Sequence, residues 1–312
     1  MKYKIISAVV ATALLSGCDE DNDNTLTPTP TPILTSIVQA YDPAVANMDA
    51  KYACEDGTTG YAGVTDGYGN VKVANDSFAL NPENCDVTFE ARDNSVDMSN
   101  NKSMAGVVYN IPRGMAIKGQ KVTGSPLSTL LANTLAGSPY TEAAASKLLV
   151  DLDLDDLVNN GASLSELFLN PEVAAEKLTP AEKSQFLATT AIVSDVVKNA
   201  DEGAKANELT AAAEAITVAT LAEYPLYPSS SKTDPDAQPI YLEIPAALIT
   251  KTVENPSIPV NINELPDPVD AEEPTNPPTG GTGPGTPTPT PTPDPTGGTG
   301  GTGGSGDDGT GS

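Results

Sequence analysis

Residues 85–91, CDVTFEA, carry the pattern that decides the fold of this chain. Apolar Val87 and Phe89 alternate with polar Thr88 and Glu90, and a period of two is typical of a β-strand with one buried face. Because a strand of this kind cannot bury its apolar face alone, the pattern predicts a sheet of several strands packed on a core.

Short β-rich pieces continue on both sides of that strand, over residues 35–122. Turn residues separate the pieces, since Asp56-Gly57 and Asp66-Gly67 supply the positive φ that tight hairpins need. Repeated short strands with such turns predict a small antiparallel β-sandwich over residues 35–122.

Two stretches of this region resemble a known family. Residues 54–60, CEDGTTG, and 64–71, VTDGYGNV, are similar to a hairpin of the carboxypeptidase-regulatory-like sandwich family. The resemblance implies a domain without enzymatic activity of its own, which serves as a spacer or a binding module.

Tyr61 and Tyr68 lie on this hairpin, and we interpret them as ordinary strand-packing residues. The alternative is a small platform for stacking sugars.

The residues after the β-rich region are typical of helices. Ser125 and Thr179 each provide an N-cap before a Pro at the first helical position. Further helix starts are expected at Thr141-Glu142 and Asn170-Pro171. Apolar residues at helical spacing predict helices over 180–200 and 204–223. We therefore expect an α-helical module over residues 123–224, which makes the predicted fold class α+β and modular.

The C-terminal residues are rich in Pro. Segment 225–273 is predicted to be extended, and within it residues 240–253, IYLEIPAALITKTV, are compatible with either a strand or a short helix. Residues 274–312 are dominated by Pro, Gly and Thr and lack apolar side chains whose burial could offset the backbone entropy of folding. They predict a disordered tail.

The N-terminal residues indicate export. Lysines within residues 1–4 precede the apolar run 5–15, which is shorter than the roughly 20 residues that a spanning helix needs. Residues 15–18, LSGC, follow this run and resemble the bacterial lipobox. The resemblance implies removal of residues 1–17 as a signal peptide and lipidation of Cys18. The alternative is a plain signal peptide in which Cys18 is incidental.

A lipidated Cys18 would anchor the protein to a membrane through acyl chains alone. Residues 18–34 are first acidic and then rich in Thr and Pro, which predicts a disordered, semi-rigid tether. We expect the protein in the cell envelope, at the outer membrane or the cell surface. The periplasmic face of the inner membrane is the alternative location.

The chain contains three cysteines, and lipidation of Cys18 would leave Cys54 and Cys85. Export would place both in an oxidising compartment, and the chain has no His and no further Cys that could complete a metal site with them. We therefore predict a disulfide between Cys54 and Cys85. Two buried free thiols are the alternative.

The charge and composition of the chain exclude several classes of function. Its 42 Asp and Glu against 16 Lys and Arg give a net charge of −26, which argues against a nucleic-acid partner. The absence of His removes Ser-His and Cys-His nucleophile pairs and imidazole ligands. We therefore predict that the protein is not an enzyme.

Two short motifs suggest chemistry that other features oppose. Residues 151–157, DLDLDDL, form an acidic row. The row fails the calcium-loop pattern, and we interpret it as a solvated acidic face between buried leucines. Ser99-x-x-Lys102 matches a serine-lysine motif of penicillin-recognising enzymes, but we reject it because the further motifs of those enzymes are absent.

No cofactor is predicted, with one alternative. Asp56, Asp66 and Asp86 lie near the predicted β-turns and could gather around a calcium ion at one end of the sandwich.

These features together predict a lipid-anchored bacterial envelope lipoprotein with a non-enzymatic role in binding, adhesion or structure. Its expected partners are the membrane, through the lipid, and a protein or polysaccharide of the envelope. Two alternatives remain, namely an accessory or scaffold subunit of a larger envelope complex, and a His-independent hydrolase that uses carboxylates.

Overall fold

The computed structural model describes residues 35–201, 203–272 and 274, and these residues form both strands and helices. The α+β class predicted from the sequence is therefore confirmed. The strands are β1 (Ser36–Ala40), β2 (Val45–Cys54), β3 (Thr59–Val64), β4 (Asn70–Val73), β5 (Cys85–Asp97), β6 (Val108–Ile111), β7 (Val122–Gly124), β8 (Ile240–Tyr241) and β9 (Val269–Asp270). The helices are α1 (Asp76–Leu80), α2 (Pro126–Leu135), α3 (Glu142–Asp151), α4 (Asp156–Asn159), α5 (Leu164–Leu169), α6 (Pro171–Lys177), α7 (Pro180–Asn199), α8 (Ala206–Glu223) and α9 (Ala246–Glu254), with 3-10 turns at Pro82–Asn84 and Ile262–Glu264.

Strand β5 lies at the centre of an antiparallel sheet with the order β3-β2-β5-β6. Val87 and Phe89 are 1% and 0% exposed, whereas Thr88 and Glu90, which alternate with them, are half-buried. The alternation in the sequence therefore describes the buried and outer faces of this strand correctly, because successive side chains of a strand point to opposite faces.

A disulfide joins β2 to β5 at one end of this sheet. Cys54 and Cys85 stand directly opposite each other in the ladder, with their Cα atoms 3.9 Å apart. The predicted pairing is confirmed. In the chain-entropy description, a crosslink across 31 residues stabilises the fold by about 3.5 kcal/mol.

A second sheet has the order β4-β1-β7, and its strands are not all antiparallel. Strand β1 pairs antiparallel with β4 but parallel with β7, with Val38 opposite Val122. This differs from the purely antiparallel prediction. A parallel pair needs a crossover connection, and strands β2 to β6, which lie between β1 and β7 in the chain, supply it.

The helices begin where the sequence predicts. Ser125, Thr141 and Thr179 each accept a backbone N–H through the side chain at the N-terminus of α2, α3 and α7. Glu182 completes a capping box with Thr179: the Thr179 hydroxyl accepts from the Glu182 N–H, and the Glu182 carboxylate accepts from the Thr179 N–H. Helix α6 begins after Asn170 as expected, although the Asn170 side chain makes no capping hydrogen bond.

Helices α7 and α2 together join the helices to the strands. Helix α7 contacts α2, α6, α8 and α9, while α2 also contacts β6 and β7. One continuous hydrophobic core runs from Val38 in β1 through Phe186 in α7 to Ile249 in α9. The β-rich residues 35–122 and the helical residues 123–224 therefore share a core.

The Pro-rich segment 225–273 also packs on this core, which differs from the extended conformation expected for it. Residues 240–253 form strand β8 and then most of helix α9. Leu242 and Ile244 between these elements are each 2% exposed. Pro239 and Pro245 stand directly before β8 and α9, so they do not prevent the apolar residues from being buried.

Several predictions concern residues outside the described part of the chain. The signal peptide 1–17, the tether 18–34 with Cys18, and the tail beyond residue 274 belong to this group. Within the described residues, no helix combines the length and the apolar character that a membrane span requires.

Candidate functional site

A cleft of about 590 Å³ lies between the loops that follow β1 and β5, helices α6 and α7, and the segment before β8. Its apolar lining includes Leu178, Leu187, Leu226 and several prolines, while its charged lining consists of the carboxylates Glu172, Glu176 and Asp236 and the ammonium group of Lys183. A cavity of this size falls within the range of small-ligand sites, roughly 300 to 1,000 Å³.

A smaller cavity of about 50 Å³, the floor cavity, adjoins the cleft. The two spaces share the lining residues Pro43, Ser99, Asn100, Leu187, Tyr227 and Pro228. The floor cavity is lined in addition by Asp42, Asp97, Lys102 and Tyr241. We call Asp42, Asp97, Lys102 and Asp195 the acidic floor. Every member is buried, with exposed fractions of 7%, 2%, 8% and 4% in that order.

Asp42 follows β1 and has one oxygen without a partner. Its Oδ2 accepts a hydrogen bond of 2.7 Å from the Tyr109 hydroxyl, which lies 2.9 Å from Ser194 Oγ. Its Oδ1 has no hydrogen-bond partner among the described residues. Burial, and then the charge of Asp97, raise the pKa of Asp42 well above its usual range.

Asp97 ends strand β5 and is held by the turn that follows. Its Oδ1 accepts from the backbone N–H of Ser99 at 2.8 Å and from the Ser99 hydroxyl at 2.7 Å, and its Oδ2 accepts from Asn100 Nδ2 at 2.9 Å. Burial raises the pKa of Asp97 to about 6, although these hydrogen bonds oppose the shift. Asp97 therefore changes its charge near neutral pH.

Lys102 and Asp195 form a buried ion pair. Lys102 Nζ lies 2.6 Å from Asp195 Oδ1 and donates to the Leu242 carbonyl at 3.1 Å, while Asp195 Oδ2 accepts from the Ile244 N–H at 2.9 Å. Burial by itself would lower the pKa of Lys102, but the charge and hydrogen bond of Asp195, together with the charges of Asp42 and Asp97, outweigh burial and raise the pKa. The pair therefore links the β5–β6 connection, helix α7 and the segment before α9.

The acidic floor carries more negative than positive groups. Lys102 is engaged by Asp195, which leaves Asp42 and Asp97 without a cation in direct contact among the described residues. Buried carboxylates in this position take up protons or bind a positively charged group, because an isolated buried charge is very costly. The arrangement can therefore hold a proton or a small cation.

The disulfide residues predicted from the sequence lie at the far end of β5 from Asp97. The three carboxylates considered for calcium each accept backbone N–H groups: Asp56 from Thr58, Asp66 from Tyr68 and Asn70, and Asp86 from the distant Arg113. Within the described residues, no group of three or more His, Cys, Asp or Glu side chains is placed to hold a metal ion.

The acidic row of residues 151–157 has the structure that the sequence indicates. Its leucines at 152, 154 and 157 are buried, while its four aspartates are exposed. Asp151 pairs with Lys147 one turn earlier in α3. The interpretation of a solvated acidic face is confirmed.

The strand-packing interpretation of Tyr61 and Tyr68 is wrong. The two residues are 56% and 68% exposed. Tyr61 lies on β3 and donates its hydroxyl to Asp49, which also binds Arg92, so a polar network on the open sheet face replaces apolar packing.

In the sequence, Ser99 and Lys102 stand out only as a serine-lysine motif. Both line the floor cavity, but the Ser99 hydroxyl donates to Asp97 and the Lys102 ammonium binds Asp195. The other members of the acidic floor were missed. One signal for them was present: Asp195 interrupts the apolar face of α7 next to Val193 and Val196.

No protein-family model, curated protein or solved structure compared with this chain matches it. Its function is therefore inferred from its own residues and their geometry.

Proposed function

We propose that this protein is a lipid-anchored envelope lipoprotein that binds a partner in the cleft without chemical turnover. The cleft is the observation that carries the proposal, since it combines a ligand-sized volume with apolar walls and a few buried polar groups. The engagement of Lys102 by Asp195 supports a binding role, because a paired ammonium group cannot act as the base that would activate Ser99.

The lipid anchor is supported by residues 15–18, LSGC, behind their apolar run. Replacing Cys18 by Ala should abolish incorporation of labelled palmitate and release the protein from the membrane fraction. Retention of both properties by Cys18→Ala would contradict the anchor. Protease shaving of intact cells then distinguishes display on the surface from an inner-membrane location.

We further propose that the two sheets form a small β-sandwich on which the helical module packs. A close approach between the sheets supports this arrangement: a Cβ atom added to Gly124 of β7 would lie 2.6 Å from the ring of Phe89 in β5. Only a residue without a side chain fits at this point.

Partner binding by the cleft can be tested with the full-length chain. Leu226 lines the cleft and is half-buried, whereas Val218 on α8 is 55% exposed and lies outside the cleft lining. We expect Leu226→Glu to reduce capture of a protein from detergent extracts of the envelope, or binding to an envelope polysaccharide, and Val218→Glu to leave it unchanged.

The nature of the partner separates the related roles. A stoichiometric protein partner favours an accessory or scaffold subunit, and binding to polysaccharide favours adhesion. Binding that is equal in Leu226→Glu and the unchanged protein would rule out the cleft as the binding site.

A hydrolase is a second candidate because two buried carboxylates, Asp42 and Asp97, line one cavity and have raised pKa values. Such carboxyl groups can act as acid and base. This role requires turnover of a polysaccharide or peptide by the purified protein, and loss of that turnover in both Asp42→Asn and Asp97→Asn.

A further inference from the structure

The cleft and its floor cavity contain buried polar atoms that no described residue satisfies. Asp42 Oδ1 lacks a partner, and Asp42 lines the floor cavity at 7% exposure. Ser184 Oγ also lacks a partner, and Ser184 lines the wider cleft at 2% exposure. Buried polar groups are normally hydrogen-bonded, so Asp42 Oδ1 is available to a donor, and Ser184 Oγ to a donor or an acceptor, from outside the described residues.

The size of the floor cavity restricts the group that can enter it. A single water needs at least about 10 to 15 Å³ of such space. The volume of about 50 Å³ therefore accepts a compact head group of a few atoms, whereas a sugar ring or a nucleobase is too large. The wider cleft of about 590 Å³ can hold the rest of a ligand.

The charges around the floor cavity favour a positively charged head group. Asp42 and Asp97 face the cavity, and Lys102 on the same cavity is already neutralised by Asp195. Tyr227 and Tyr241 also line it, and aromatic side chains can attract cations.

The wider cleft has the same sign of charge. Its carboxylates Glu172, Glu176 and Asp236 outnumber its ammonium group, that of Lys183. A cationic ligand would therefore be attracted both at the entrance and at the floor.

We propose that the cleft binds ligands that present a primary alkylammonium group, with the ammonium head donating to Asp42 Oδ1 in the floor cavity. The alkyl stem then lies along Leu187 and Pro228, which belong to both spaces. An ammonium group is compact and carries three donors, and its positive charge stabilises the ionised, acceptor-only form of the Asp42 carboxylate that burial alone disfavours. This inference rests on the proposed function of the cleft as a binding site.

Two sources could supply this chemistry, a lysine side chain of a peptide or a free diamine. Isothermal titration of the full-length protein with N-acetyl-lysine amide and with 1,5-diaminopentane tests both sources. The uncharged 1,5-pentanediol is the matched control ligand. We expect at least one of the two amines to bind with one-to-one stoichiometry and the diol to give no signal. Binding of the lysine derivative alone identifies a peptide ligand, and binding of the diamine alone identifies a free amine.

Variants connect the binding to the floor cavity. Asp42→Asn should weaken amine binding by about tenfold or more, because it removes a buried charged acceptor. Asp93→Asn on the same strand as Asp97 is the control, since Asp93 is exposed, and it should leave affinity unchanged. Ala191→Met fills the cavity from α7 without changing any charge and should also abolish binding, so the test remains decisive if Asp42→Asn fails to fold.

Three results would overturn the inference: no binding of either amine, equal binding of the diol, or unchanged affinity in the folded Ala191→Met variant. These failures are distinguishable from failure of the proposed function. If an envelope partner is still captured in a manner sensitive to Leu226→Glu, the cleft remains a binding site and only the ligand class is wrong.

Discussion

The acidic floor and the acidic row of residues 151–157 are both rich in aspartate, but their surroundings differ. The aspartates of the row are exposed, and the contact of Asp151 with Lys147 is a surface pair whose side chains are 41% and 70% exposed. Asp42, Asp97 and Asp195 in the floor are 7% exposed or less. Carboxylates cost little to keep ionised in water and much to keep ionised in a core. Burial therefore makes the floor a candidate site, although the row has the denser sequence pattern.

The largest expected effect comes from breaking the buried ion pair. Lys102→Met should destabilise the protein by about 3 to 5 kcal/mol, because Asp195 is left as an uncompensated buried charge. Lys147→Met at the exposed pair is the matched control and should change stability by less than about 1 kcal/mol. Urea unfolding measures both. Equal losses in the two variants would remove the energetic distinction between floor and row.

The pH dependence of stability is the next largest effect. The folded pKa of Asp97 is about 6 and the ordinary pKa of an aspartate is 3.8, so the native state binds this proton more tightly than the unfolded state does. The resulting stabilisation is fully present below pH 3.8 and is lost as the pH rises through about 6. The loss is on the order of 2 to 3 kcal/mol for Asp97 alone.

Unfolding free energies measured across this pH range test that sign. Asp97→Asn should flatten the decrease in stability, because a neutral side chain replaces the titrating group. Asp155→Asn in the row serves as the control and should leave the decrease in place. A stability that instead rises through this range, and does so equally in both variants, would show that Asp97 does not titrate as stated.

A smaller effect is expected at the hydroxyl beside Asp42. Tyr109→Phe removes the donor to Asp42 Oδ2 and should cost about 1 to 3 kcal/mol, since a buried acceptor then loses its partner. The control is Tyr68→Phe on the exposed hairpin, which should change stability by less than about 0.5 kcal/mol. Thermal unfolding of the two variants provides the comparison, and indistinguishable midpoints would contradict it.

The smallest effect belongs to the row itself. Asp151→Asn should cost about 0.2 to 0.5 kcal/mol through loss of its helical pair with Lys147. High salt should reduce this difference, because it screens exposed charges. Urea unfolding at low and high salt measures it, and a loss above about 2 kcal/mol would mean that the row is structural in the same sense as the floor.

Local patterns in the sequence predicted the elements well. Strand alternation at Val87 and Phe89 and helix capping by Ser125 and Thr179 depend on residues that are close in the sequence. The disulfide could be predicted because Cys54 has only Cys85 as a partner once Cys18 is assigned to the lipid. The candidate site was not predictable in this way. Asp42 and Ser194 are 152 residues apart in the printed sequence, yet Tyr109 connects them by two hydrogen bonds.

The sequence by itself determined the α+β composition, the helix starts and the disulfide partners. The signal peptide, the lipidated Cys18 and the tether are also predicted from the sequence alone. Tertiary structure alone decided that β1 and β7 pair in parallel, that Ile244 binds Asp195 of α7, and that the distant Asp42 and Asp97 line one cavity. The physical reason is the range of the interactions. Capping and strand alternation depend on neighbouring residues, whereas desolvation and charge pairing depend on every element that packs around a group.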